Sequence, residues 1–238
     1  MLQLDREMKL ALGKLAGSDA RLKDDLISSM RIKRFSPRKT IVMHDETDND
    51  VFLILKGRAR ADVVSVEGQD VWIDDLTPGD LFGEMAALGD MPRTAEIRAV
   101  TEVTVALYSA KVFIGLMQRH GNLGIIVSRR LIEHLRNTTR RMFELSALSA
   151  PGRIYAELLR LADFKEGELS QWGVIRPVPV ISVLARRVNS TRETASRTIN
   201  DLVRRGLIVK KSGYLLIAPL QEQESCFESA IGASHSGD

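Results

Sequence analysis

The sequence predicts an α+β protein built in two parts, on three observations. Between Lys33 and Tyr108 it carries six short runs of β-type residues broken by turn signals. From Ser109 to about Ser149 the pattern turns helical and holds a heptad spacing. Beyond Pro151, two helical segments split by Asn189-Ser190 precede a hairpin, the layout of a winged helix-turn-helix.

Taken in order, residues before Met30 place Leu4, Met8, Leu12 and Leu15 at helical spacing, which predicts one or two short helices. The β-type runs are Thr40-Ile41-Val42, Val51 to Leu55, Ala61 to Val66, Val71-Trp72-Ile73, Ala95 to Val100 and Glu102 to Leu107. Lys56-Gly57, Glu67-Gly68 and Thr77-Pro78-Gly79-Asp80 mark turns between them. Many short strands at close spacing predict a sandwich or barrel.

In the helical region, Leu131, Leu135, Thr138, Met142, Leu145 and Ser149 alternate steps of four and three, a heptad seam. Such a seam serves either a dimerisation helix or an amphipathic helix packed on its own domain. Ala150-Pro151-Gly152 is expected to end the long helix and form a hinge, because proline disfavours helix in the residue before it. A helix over Ile154 to Ala162 follows, then a loop rich in Gly, Pro and charge up to Pro179. The two segments of the helix-turn-helix run from Val180 to Val188 and from Thr191 to about Arg205. Gly206 closes the second, and Leu207 to Val209 with Tyr214 to Ile217 form the wing through Ser212-Gly213. Pro219 to Asp238, rich in Glu, Gln, Ser and Gly, is expected to be largely disordered.

Composition bounds the chemistry. A chain of 238 residues suits two domains. Its net charge is only +3, so any nucleic-acid footprint must be local. Between Val180 and Lys211, eight basic residues face only Glu193 and Asp201, a local excess of +6. The single cysteine, Cys226, fits a reducing cytosol and leaves no cysteine cluster for zinc or an iron–sulfur centre; no metal, haem or iron–sulfur cofactor is expected. No apolar run is long enough to span a membrane and no signal-peptide core opens the chain, so a cytoplasmic location is expected. No nucleophile–base pair or Walker loop stands out, which argues against an enzyme.

The most informative stretch is Phe82-Gly83-Glu84-Met85-Ala86-Ala87-Leu88-Gly89-Asp90-Met91-Pro92-Arg93-Thr94-Ala95. It sets one carboxylate and one guanidinium at the ends of a short apolar segment. Arginine matches a phosphate with two parallel hydrogen bonds, while a carboxylate only accepts and so suits a sugar hydroxyl. The alternative is a solvated Glu84–Arg93 ion pair in an ordinary loop. A second motif opens the second helix of the helix-turn-helix: Thr191-Arg192-Glu193-Thr194-Ala195-Ser196-Arg197. Arg192 and Arg197 can each offer a fork to guanine, and Glu193 can accept from the cytosine amino group. Glu193 also has the spacing of a capping box with Ser190. Ser190 and Thr191 are candidates for phosphate contacts.

The first motif resembles the phosphate-binding cassette of cyclic-nucleotide-binding domains, and the second resembles the recognition helix of the catabolite activator (CRP/FNR) family. Together the resemblance covers residues from about 20 to 218. It implies an N-terminal β-roll with its helices over 1–108, a dimerisation helix region over 109–149, a winged helix-turn-helix over 150–218, and a tail over 219–238. By motif position, Glu84 would hold a ribose 2'-hydroxyl, Arg93 the cyclic phosphate, and the amides of Gly83, Thr94 and Ala95 would complete the cradle. Aligned through Gly152-Arg153-Ile154, Thr138 and Thr139 fall where that family contacts the base, one from each protomer. His134 stands where a basic residue often assists the phosphate.

The resemblance implies a homodimeric transcription regulator with cAMP as effector, binding palindromic double-stranded DNA with TGTGA-like half-sites, and RNA polymerase as a partner. Thr94 directly after Arg93 resembles cGMP-selective sites, so a cGMP-responsive or dual-ligand regulator is the alternative ligand reading. An effector-independent DNA-binding protein of the same fold is the alternative mechanism.

Overall fold

The computed structural model describes residues 4–64, 70–164 and 172–218. The tail over 219–238, expected to be disordered, lies outside the described residues. The chain divides into two compact units, one ending at His134 and the other starting at Leu135.

The first unit opens with α1 (Arg6–Ala16) and α2 (Ala20–Ser29). Asp5 and Asp19 cap them, each carboxylate accepting from the amide three residues on. Leu4, Met8, Leu12 and Leu15 are all buried, as their spacing predicts. Among the described residues eight strands follow: β1 (Arg31–Phe35), β2 (Thr40–Val42), β3 (Val51–Lys56), β4 (Ala59–Val64), β5 (Asp70–Leu76), β6 (Leu81–Phe82), β7 (Glu96–Ala99) and β8 (Val103–Tyr108). They form two four-stranded sheets, ordered β1-β8-β3-β6 and β2-β7-β4-β5. Between β6 and β7 lies α3 (Glu84–Gly89).

Strand β3 explains how the layers stack. Phe52 and Ile54 enter a core shared with Ala61, Leu76, Ile97 and Val105 of both sheets. Val51, Leu53 and Leu55 enter the other core, with Leu12, Leu15, Leu26 and Phe113 of the helices. A strand buried on both faces needs an unbroken apolar run, which is what Val51 to Leu55 supplies. The turn into β4 requires Gly57: its φ is 83°, and a Cβ there would lie 1.9 Å from the Glu102 carbonyl oxygen. Two strands, β1 and β6, were not expected. β1 is an edge strand with only Ile32 and Phe35 apolar, so it lacks the signal of a buried strand.

The helical region from Ser109 is broken rather than continuous. α4 (Ala110–Arg119) and α5 (Gly121–Ala147) are separated at His120, whose Nε2 lies 2.8 Å from Asp25 Oδ2 on α2. The 27-residue α5 then runs from the first unit into the second.

In the second unit, α6 (Ala150–Leu161) corrects the expected role of Pro151. The long helix stops at Ala147, Ser149 caps α6, and Pro151 sits in the first turn of α6, where its missing N–H has no intrahelical acceptor to lose. β9 (Gly173–Ile175) lies in the segment expected to be loop. The helix-turn-helix is α7 (Ile181–Arg187) and α8 (Arg192–Arg204), and the wing is β10 (Ile208–Lys211) and β11 (Tyr214–Ile217). β9 joins the wing as a third strand, in the order β10-β11-β9. Ile154, Leu158, Leu184, Ala195, Ile199, Leu202, Ile208 and Ile217 form its core. Gly206, at φ 74°, ends α8.

Candidate ligand and nucleic-acid sites

The cassette is built on β6, α3 and the loop back to β7. Gly83 turns the chain at φ 84°, and no other residue fits: a Cβ would lie 2.5 Å from Arg93 Nη1 and 2.6 Å from the Asp50 carbonyl oxygen. Arg93 is 2 % exposed. Its Nη1 donates to the Gly83 carbonyl at 3.1 Å, and its Nη2 donates to the Asp50 carbonyl at 2.8 Å and to the Asp48 carboxylate. Its guanidinium carbon lies 5.7 Å from the Phe52 ring centre, and Phe52 stacks on Phe82 at 4.8 Å. The Arg93 backbone pairs with the loop before β3, accepting from Asp45 N at 3.0 Å and donating to the Glu46 carbonyl at 2.9 Å.

Glu84, at the start of α3, is 8 % exposed, and its Oε2 is buried with no hydrogen-bond partner among the described residues. Burial raises its carboxyl above the ordinary 4.5, and the opposing pull of its own backbone amide, His134, Arg130 and Arg93 does not cancel this. The solvated-ion-pair alternative therefore fails. Both groups are buried, and the carboxylate that meets Arg93 is Asp48. Thr94 is exposed and Ala95 half-buried, next along the chain from Arg93.

From α5, Arg130 Nη2 donates to the Gly79 carbonyl at 2.6 Å, fixing the turn that leads into β6. His134 Nδ1 lies 3.7 Å from an Asp74 oxygen on β5. Thr138 and Thr139 are exposed on α5 in the second unit. Asp48 and Arg130 escaped the sequence reading. Neither belongs to a motif, and both reach the cassette by tertiary contact alone.

The candidate nucleic-acid face is α8. Ala195, Thr198, Ile199 and Leu202 point inward at helical spacing, which leaves Arg192, Glu193 and Arg197 exposed. Glu193 and Arg197 pair across one turn at 2.5 Å, with side chains 71 % and 78 % exposed. Surface pairs of this kind contribute little, so each side chain is free to take another partner. The capping-box expectation is corrected: the cap is Thr191, whose Oγ1 accepts from Thr194 N at 3.1 Å, while Glu193 turns to Arg197. Ser190 Oγ is buried without a partner among the described residues.

Three other arginines of this unit are structural. Arg153 grips the turn of the helix-turn-helix, donating to the Val188 carbonyl at 2.9 Å and the Asn189 carbonyl at 3.1 Å. Arg187, one of the eight basic residues between Val180 and Lys211, donates to the buried Glu157 at 2.9 Å. Glu157 also accepts from Arg160, which reaches Glu144 on α5.

Two family models match the chain. A cyclic nucleotide-binding domain covers residues 32–120, and a Crp-like helix-turn-helix domain covers residues 152–221. Among curated relatives, the cAMP-activated global transcriptional regulator Vfr of Pseudomonas aeruginosa is 25% identical, over 82% of this chain and 92% of Vfr. The cAMP-activated regulator CRP of Pasteurella multocida is 27% identical, over 76% of this chain and 87% of its own. Among solved structures, the c-di-GMP responsive regulator CLP of Xanthomonas campestris superposes with a TM-score of 0.68 at 19% identity, covering 84% of this chain and 99% of CLP. A CooA variant from Carboxydothermus hydrogenoformans gives a TM-score of 0.71 at 17% identity, covering 94% and 97%. Two matched domains in this order, on a roll and a winged helix-turn-helix joined by one long helix, identify the chain as a member of the CRP/FNR family of transcription regulators, which are not enzymes.

Proposed function

We propose that this regulator works as a cytoplasmic homodimer, takes cAMP as its effector, binds palindromic DNA with TGTGA-like half-sites, and engages RNA polymerase. The observation that carries the ligand reading is Glu84. Its Oε2 is buried without a partner beside a buried guanidinium. A buried acceptor left unsatisfied costs about 1–3 kcal/mol, which a donated ribose hydroxyl would recover. Arg93 would take the cyclic phosphate, with the amides of Gly83, Thr94 and Ala95 around it. The cAMP-activated relatives support this choice of nucleotide.

The dimer reading is supported by α5. Ile132, Leu135, Met142 and Phe143 are 56 %, 67 %, 65 % and 67 % exposed, an apolar face that a second copy would cover. Leu131, expected on the seam, packs partly buried against the core of the first unit. Leu135, Met142 and Leu145 of the expected seam stay exposed, with Ile132 and Phe143 beside them. Thr138 lies on that seam and Thr139 next to it, so a base there would meet hydroxyls from both protomers. Occupancy would favour one arrangement of the dimer, and a few kcal/mol of differential affinity suffices for a switch.

At the DNA, Arg192, Glu193 and Arg197 would read base edges, and Thr191 would meet phosphate. Ser190 would join it after its hydroxyl turns outward.

A cGMP-responsive or dual-ligand regulator is a second reading, favoured by the exposed Thr94 beside Arg93. Calorimetry with cAMP, cGMP and c-di-GMP, paired with operator titrations with and without each, tests both. cAMP should bind and raise operator affinity. Equal operator affinity in every condition would leave an effector-independent DNA-binding protein.

A further inference from the structure

We infer that Asp48 is an internal competitor of the ligand phosphate, a latch that holds Arg93 closed until a nucleotide displaces it. This rests on the assignment of Arg93 to the phosphate made above, and it goes beyond it by naming a residue that lowers affinity.

A guanidinium has five N–H donors and two edges that can fork onto a phosphate, Nε with Nη2 and Nη1 with Nη2. Both edges need Nη2. In this structure Nη2 donates to the Asp50 carbonyl and to the Asp48 carboxylate, so both its hydrogens are taken. Nη1 donates to the Gly83 carbonyl. No two-pronged phosphate contact can form until one Nη2 partner leaves.

Only one of the two can leave cheaply. The Asp50 carbonyl belongs to the backbone leading into β3 and lies against Gly83. The Asp48 side chain is 48 % exposed, in the loop between β2 and β3. Its Oδ1 also accepts from Asp50 N at 2.7 Å, a local bond at the exposed surface that water can replace, so it can swing out and lose little, because a half-exposed ion pair is well solvated once open. A phosphate arriving beside a carboxylate that stayed would meet like-charge repulsion as well. Asp48 thus plays the part of the ligand's anion: it neutralises the buried Arg93, whose Nε has no partner among the described residues, and must be exchanged for the phosphate.

Two measurements on the full-length protein test this. In calorimetry with cAMP, Asp48→Asn and Asp48→Ala should each bind about tenfold tighter than wild type, since neither brings a competing charge. Asp45→Asn removes the same charge from the same loop, but that carboxylate is 77 % exposed and pairs with His44, so its affinity should match wild type. In thermal melts without nucleotide, Asp48→Ala should unfold about 2–4 °C lower, because the buried Arg93 loses its bonded carboxylate.

Unchanged or weaker cAMP binding by both Asp48 variants overturns the latch. Asp48 would then hold Arg93 in place for the phosphate. Equal tightening by Asp45→Asn overturns it too, by reducing the effect to loop charge, and so does an unliganded melting point that does not move. If wild type and variants alike bind no cyclic nucleotide, the phosphate assignment falls together with the latch. Binding by wild type without tightening in the variants sinks the latch alone.

Discussion

Replacing Glu84 by leucine should make the unliganded protein more stable and its ligand binding worse, two opposed effects of one substitution. The carboxyl is 8 % exposed, and its Oε2 has no partner. Its folded pKa is raised above 4.5 because burial outweighs the pull of its own amide, His134, Arg130 and Arg93. The sign follows from linkage. A group with a raised folded pKa contributes stability below its unfolded value, and that contribution is lost as pH rises through the folded value. At neutral pH the ionised carboxylate therefore weakens the fold. An apolar residue of similar size removes that cost, by about 1 kcal/mol if only the orphaned acceptor is counted, or roughly 2–4 °C in melting temperature for a chain of this size. The gain should shrink as the pH falls through the raised folded pKa, because wild-type Glu84 then takes up its proton. The ligand loses a hydrogen bond to a charged acceptor, about 1.5–3 kcal/mol, or roughly 10- to 150-fold in affinity. Scanning calorimetry from about pH 4 to pH 8 and cAMP titration read the two effects separately. A lower melting temperature at neutral pH would refute the reasoning, since Glu84 would then anchor the cassette. Intact cAMP affinity would refute its contact with the ribose.

Three further outcomes follow from the second unit and from α5. Arg192→Ala should cost about 1–3 kcal/mol of discrimination at one guanine, measured by competition between operators with single base changes; a uniform loss on all duplexes would mean that Arg192 holds phosphate. Glu157→Gln should destabilise the second unit by about 3–5 kcal/mol, because Arg160 and Arg187 share that buried carboxylate; denaturant unfolding measures it, and a change under 1 kcal/mol would mean that Glu144 alone suffices. Leu135→Asp leaves the monomer's cores untouched, since that side chain is 67 % exposed, yet it should abolish the dimer in light scattering; a dimer that persists would move the interface off this face.

Local pattern was enough for most elements. Asp5 and Asp19 begin helices whose apolar spacing is visible, and Val51 to Leu55 announces a strand buried on both faces. Where the pattern misled, a neighbour decided. β1 has a charged sequence and exists because β8 pairs with it, and β9 exists because the wing does. The break at His120 accompanies a contact to Asp25, 95 residues earlier, which no window of sequence contains. Pro151 marks a boundary from either side, and the Ser149 cap decides that it starts a helix.

The chemistry of the two sites divides in the same way. Sequence alone marked the candidates, since the cassette from Phe82 to Ala95 and the helix start from Thr191 to Arg197 are contiguous runs whose side-chain types carry their chemistry. Tertiary structure decided the state of each group. It buried Glu84 until one oxygen lost every partner, brought Asp48 across from another loop onto Arg93, and turned Arg187 inward to Glu157 while Arg192 and Arg197 stayed outside. Burial and hydrogen-bond partners depend on which distant segments pack together, and these set a group's charge state, its competitors and its reach.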